Sequence, residues 1–90
     1  MSDPMKCVVL YTPADDVLPK AMEHFPAHSE WADKFVADGT LLMIGTFADV
    51  LAHGSMAIFT DRAAAEAFVA GDPFVREGIA ASYELRDWNA

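Results

Sequence analysis

TLLMIGTFADVLAHGSMAIFT, residues Thr40 to Thr60, decides the fold. Its two apolar runs, TLLMIGTF (Thr40 to Phe47) and GSMAIFT (Gly54 to Thr60), read as strands joined by ADVLAH, a connection long enough for a loose hairpin. Upstream, Trp31, Ala32, Phe35 and Val36 recur at helical spacing between about Pro26 and Asp38, while Glu30, Asp33 and Lys34 fall on the other side and Gly39 is the expected stop. Earlier still, MKCVVLYT (Met5 to Thr12) is rich in β-branched and aromatic residues and reads as a strand closed by the turn-prone PADD. Downstream, a helix from Asp61 to Ala70 starts at a capping aspartate, buries Phe68 and ends at Gly71. IAASYELRDW (Ile79 to Trp88) is a last strand with Ser82, Glu84 and Arg86 on one face.

Strand, helix, strand, strand, helix, strand is the βαββαβ order of a ferredoxin-like α+β domain: a four-stranded antiparallel sheet with two helices on one face, here as a single domain over residues 1–90. In the first three strands both alternating sets are apolar. Cys7, Val9 and Tyr11 oppose Val8 and Leu10; Leu41 and Met43 oppose Leu42 and Ile44; Ala57 and Phe59 oppose Met56 and Ile58. A sheet with one wet face would alternate apolar with polar. The second face is therefore expected to be covered by a second copy, sheet on sheet, in a two-fold homodimer.

Ninety residues with 53% hydrophobic and 11% aromatic content are enough for a packed core in spite of a formal charge of -8. Fourteen acidic residues against six basic ones repel phosphate backbones and anionic lipid, so neither nucleic acid nor membrane is an expected partner. Cys7 is the only cysteine, which precludes an internal disulfide, and MSDPMKC lacks the basic-then-apolar layout of a secretory signal. A reducing, cytoplasmic setting is expected.

EHFPAHSEW (Glu23 to Trp31) holds two histidines four residues apart with a proline between them. A zinc-protease-like pair needs both on one helix. Proline is tolerated in a first helical turn and costs about 3 kcal/mol in the interior, so the helix is expected to begin at or next to Pro26, with His24 upstream of it. No glutamate follows His24 as a base and no thiolate cluster is present, so no metal site is expected. His28 lies three, four and seven residues before Trp31, Ala32 and Phe35 and should point toward the sheet. It is either a core-edge histidine satisfied by backbone or water, or a general acid or base with a partner elsewhere. His53, beside Gly54, reads as an exposed turn residue.

In GDPFVREG (Gly71 to Gly78), Asp72 before Pro73 is a strong helix-start signal, and Asp72 reads as an N-cap. A carboxylate has two oxygens and can cap with one while accepting from an imidazole with the other.

FPAHSEWADKFVADGTLLMIGTF, followed by EAFVAGDPFVREGI and a C-terminal YELRDW, resembles the YCII-related (YciI-like) family of dimeric α+β barrel proteins over nearly the whole chain. The resemblance implies that His28 and Asp72 face one another as a catalytic dyad. It also implies acid/base chemistry without a cofactor: one branch of the family removes chloride from a chlorinated hydroxyquinol, and other dimeric α+β barrels include lactone isomerases and cofactor-free monooxygenases. Where the family has a Gly-Pro step after the second strand, this chain has Gly45-Thr46.

In such a dyad the aspartate fixes the imidazole tautomer and leaves the other ring nitrogen as the base. Ser29 is expected to turn away from the stripe and Cys7 to sit within the first strand, which leaves covalent catalysis the weaker option. Tyr11, Trp31, Gly45, Phe47 and Phe74 are the expected walls of an apolar pocket for a small cyclic organic substrate or ligand, though each aromatic also fits a plain core role. Two functions stay open: a lyase or isomerase using His28 and Asp72, and a non-catalytic small-ligand-binding or regulatory domain in which that pair caps and rigidifies. A haem-degrading or metal-dependent relative is a third option.

Overall fold

The computed structural model describes residues 5–15 and 17–90. Asp16, within the PADD turn, and residues 1–4 lie outside the described residues. The elements are β1 (Lys6–Pro13), α1 (Val17–Asp38), β2 (Leu41–Thr46), α2 (Val50–His53), β3 (Ser55–Phe59), α3 (Arg62–Gly71), α4 (Pro73–Arg76) and β4 (Ala80–Trp88). The strands form an antiparallel sheet of order β2-β3-β1-β4, which makes this a ferredoxin-like α+β domain. Two short helices, α2 and α4, join the expected pair. The first lies inside ADVLAH, where Asp49 accepts from Ala52 N. Asp61 caps α3 as expected, accepting from Ala64 N.

The core lies between the sheet and the long helices. Cys7, Val9, Ala57, Phe59, Ala65 and Phe68 are buried there. Trp31 and Phe35 pack against this cluster from α1. Residues paired across neighbouring strands project to the same side, so Val8, Leu10, Met56 and Ile58 occupy the face without helices. Among the described residues nothing covers that face, and Met43 on it is 67% exposed.

Two local expectations differ from the structure. α1 does not begin at Pro26 but runs through it, so His24 and His28 share one helix at i and i+4. Pro26 is exposed, and the carbonyl deprived of its N–H partner can be met by water, while Ala32 and Phe35 still pack on the core. Local propensity is overridden by tertiary burial. In β2 the register shifts between Leu41, opposite Phe59, and Met43, opposite Ile58. The irregularity puts Leu41 on the helix side and Met43 on the open side, so the two do not share a face.

Candidate active site

Asp72 is where the second half of the fold delivers its carboxylate. Proline disfavours helical geometry in the residue before it, so Asp72-Pro73 ends α3 and starts α4, with Asp72 extended at φ -67° and ψ 121°. Its Oδ1 accepts from Phe74 N at 3.0 Å, the N-cap bond. The same oxygen lies 2.8 Å from Nδ1 of His28. Cap and imidazole thus share one oxygen, where the sequence suggested one each. The other oxygen, Oδ2, accepts from the Tyr11 hydroxyl at 2.5 Å. Asp72 is fully buried, and three donors surround it.

His28 reaches this carboxylate from the middle of α1. Its ring stacks on Phe74 at 3.9 Å between centroids with 5° between planes, and Phe68 meets it edge-on. Stacking and the Asp72 bond fix the imidazole plane. An ionised carboxylate only accepts, so Nδ1 carries the hydrogen and Nε2 of the neutral ring is left as an acceptor. Among the described residues no buried side-chain nitrogen or oxygen lacks a partner, yet Nε2 has no protein partner. Nε2 is therefore the atom that meets open space.

That space is a cavity of about 570 Å³ between α1 and the sheet, bounded by Val9, Tyr11, Phe25, His28, Ile44 and Phe74 among others. Its walls are mostly apolar. No Lys or Arg is among the lining residues described, and Asp33 is the carboxylate there. Lys6, Arg76 and Arg86 do not line it; Arg86 pairs with Glu84 at 2.9 Å.

Gly45 and Phe74 border the cavity, and Tyr11 does so with its hydroxyl bound to Asp72. Burial raises the Tyr11 hydroxyl above the ordinary tyrosine range, and the bond to Asp72 adds to the shift. Trp31 and Phe47 are not among the lining residues. Trp31 instead fastens α1 to α3: its Nε1 donates to the Phe68 carbonyl at 2.9 Å, and its ring lies where a side chain at Gly71 would be. Ser29, expected to turn away, does line the cavity. Its neighbour relation to His28 was visible in the sequence, but its direction depends on how α1 rolls against the sheet. His24 pairs with Glu23 at 3.1 Å, and no cluster of three metal-ligating side chains occurs among the described residues. Burial pushes the Cys7 thiol up, and Cys7 lies apart from the cavity.

Fold and geometry together define a ferredoxin-like α+β domain with a buried His-Asp pair at the wall of an apolar cavity. The chain matches the YCII-related domain over residues 5–89 and belongs to that family. Among solved structures it is similar to 5-chloro-2-hydroxyhydroquinone dehydrochlorinase from Burkholderia phenoliruptrix AC1100, in complex with 2,5-dihydroxybenzoquinone, at TM-score 0.75 and 18% identity over 94% of each chain. At that identity the likeness is one of fold. No functionally curated protein matches the chain. No helix among the described residues is long and apolar enough to cross a membrane.

Proposed function

We propose that this chain is a small-molecule enzyme of the lyase or isomerase type, dehydrochlorinase-like, in which His28 moves a proton and Asp72 orients it. The observation that carries the reading is the open Nε2 of an imidazole whose Nδ1 is held by a buried carboxylate. Nε2 takes a proton from a hydroxyl or acidic C–H of the bound molecule. The electron pair left behind moves through the ring and either departs with a leaving group such as chloride or is reprotonated at another carbon. The chemistry requires no cofactor. The apolar walls and the absence of a cation among the described lining residues favour an uncharged cyclic substrate. The dihydroxybenzoquinone held by the structural neighbour is a small cyclic molecule.

The test is turnover of 5-chloro-2-hydroxyhydroquinone and of small lactones by the native chain and by His28→Gln. Loss of a general base lowers kcat by roughly 100- to 10,000-fold. Equal rates in the two proteins would end the catalytic reading.

A second reading has its own observation: Asp72 caps α4 and anchors Tyr11, so the pair also has a structural use. On that reading the domain binds a small ligand without transforming it, and His28→Gln changes affinity but no rate. We also propose that a second copy covers the open sheet face, because Leu10, Met43, Met56 and Ile58 form an apolar surface there with no cover among the described residues. A free buried thiol at Cys7 fits a reducing cytoplasm.

A further inference from the structure

We propose that Tyr11 is a positioning residue of this site, acting through Asp72 to hold His28 in the Nδ1–H tautomer. The proposal rests on the dyad reading above and assigns Tyr11 a task other than that of a ligand-contacting wall. Oδ1 of Asp72 already serves two donors, His28 Nδ1 and Phe74 N. Among the described residues Oδ2 has Tyr11 alone, at 2.5 Å. With the residue at 0% exposure, no bulk water stands in for that hydroxyl. A carboxylate lacking it is free to turn its plane, and that turn releases the demand that Nδ1 carry the hydrogen.

The anchor itself is rigid. Tyr11 sits on β1, an inner strand, opposite Ser55 of β3 and Tyr83 of β4, so its backbone is held on both sides. Gly54 presses on it from the hairpin: at φ +76° it brings its backbone so close that a Cβ there would overlap the Tyr11 carbonyl. The sheet thereby sets the hydroxyl, the hydroxyl sets the carboxylate plane, and the carboxylate sets the imidazole. A hydroxyl already donating to Oδ2 does not offer its proton to a ligand, and burial makes it keep that proton. Its influence on the reaction runs through Asp72.

Nitrogen-15 NMR of the imidazoles, with His28 assigned by its loss in His28→Gln, reads the tautomer directly. The expected result is a dominant Nδ1–H form in the native protein and a mixture of tautomers in Tyr11→Phe, which keeps the ring and removes only the hydroxyl. A Tyr11→Phe protein that melts earlier while His28 keeps the native tautomer would overturn the proposal and leave Tyr11 a structural residue. Should Tyr11→Phe fail to fold, 3-fluorotyrosine incorporated into a Tyr83→Phe background leaves Tyr11 as the one labelled position of the chain's two tyrosines. The more acidic hydroxyl must then shift the His28 ring nitrogens; unmoved resonances count against the proposal. Failure of the dyad reading shows up separately, as turnover that survives His28→Gln.

Discussion

Nδ1 of His28 lies 2.8 Å from Oδ1 of Asp72, across 44 residues of sequence, and the carboxylate that makes this contact is wholly buried. Substitutions at Asp72 should therefore split by shape. Asp72→Ala removes the α4 cap and leaves the Tyr11 hydroxyl and Phe74 N–H without an acceptor, which should cost about 3 kcal/mol in urea unfolding. Asp72→Asn preserves volume and can still accept from Tyr11 or Phe74. Its amide can donate to Nδ1, however, so His28 should switch to the Nε2–H tautomer and turnover should fall by roughly 100-fold or more. A folded Asp72→Asn protein with native turnover would show that the carboxylate's charge is irrelevant to the reaction.

Alkaline stability follows from two raised groups. Burial and the Asp72 bond raise the folded pKa of Tyr11, and burial raises that of Cys7. Above about pH 8.5 for the thiol and about pH 10 for the phenol, the unfolded chain gives up protons that the folded chain retains. The unfolded state then binds fewer protons, so stability is fully present below those values and is lost as pH rises from them toward the folded pKa values. Urea midpoints taken from pH 7 to pH 11 should fall, and fall less steeply in a Cys7→Ala, Tyr11→Phe protein. Parallel curves for the two proteins would show that neither group carries the alkaline loss.

Gly54 offers a test of the support beneath Tyr11. An alanine there meets two penalties, a positive φ of 76° and overlap with the Tyr11 carbonyl. Gly54→Ala should destabilise by roughly 2 kcal/mol or more. Thermal unfolding checks the magnitude; a change within ~0.5 kcal/mol would mean that the close approach is easily relieved.

The elements that depend on local pattern were legible. β-branched and apolar runs marked four strands, Asp61 and Gly71 bracketed α3, and helix phase aimed His28 at the sheet. What escaped depends on contacts remote in sequence. The irregularity near Leu42 is a matter of register against β3, which periodicity within β2 does not encode. Trp31 looked like a cavity wall because it shares the His28 stripe, but the roll of α1 directs it to Phe68 and Gly71. Tyr11 does border the cavity, but the use of its hydroxyl depends on a residue 61 positions away.

The open sheet face yields a prediction about assembly. Met43 and Ile58 lie opposite each other in the β2–β3 ladder on that face. Met43 is 67% exposed in the single chain, so a lysine there costs the isolated subunit little. In a sheet-on-sheet dimer, paired lysines would be stripped of water, which is strongly unfavourable. Met43→Lys, Ile58→Lys should keep its circular dichroism spectrum and sediment as a monomer. A native chain that is itself monomeric at tens of micromolar, the order of magnitude at which stable homodimers persist, would dismiss the sheet interface.

Pro26 poses the last question, because it sits in the interior of α1 two residues before the catalytic candidate. An interior proline forfeits one backbone hydrogen bond and crowds the preceding turn, a cost of about 3 kcal/mol that the packing of Ala32, Trp31 and Phe35 must offset. Pro26→Ala restores the N–H, at the expense of some added freedom in the unfolded chain, and should raise stability by about 1 to 2 kcal/mol. Relieving the crowding at Pro26 should also alter how the first half of the helix, carrying the exposed Leu18, Met22 and Phe25, meets the cavity those residues line. The expected pattern is therefore a higher melting temperature with a raised KM and little change in kcat, since His28 remains held by Asp72 and Phe74. A stabilised variant with lowered kcat instead would mean that the proline sets the imidazole itself, and the burden of positioning would shift from the carboxylate to the helix.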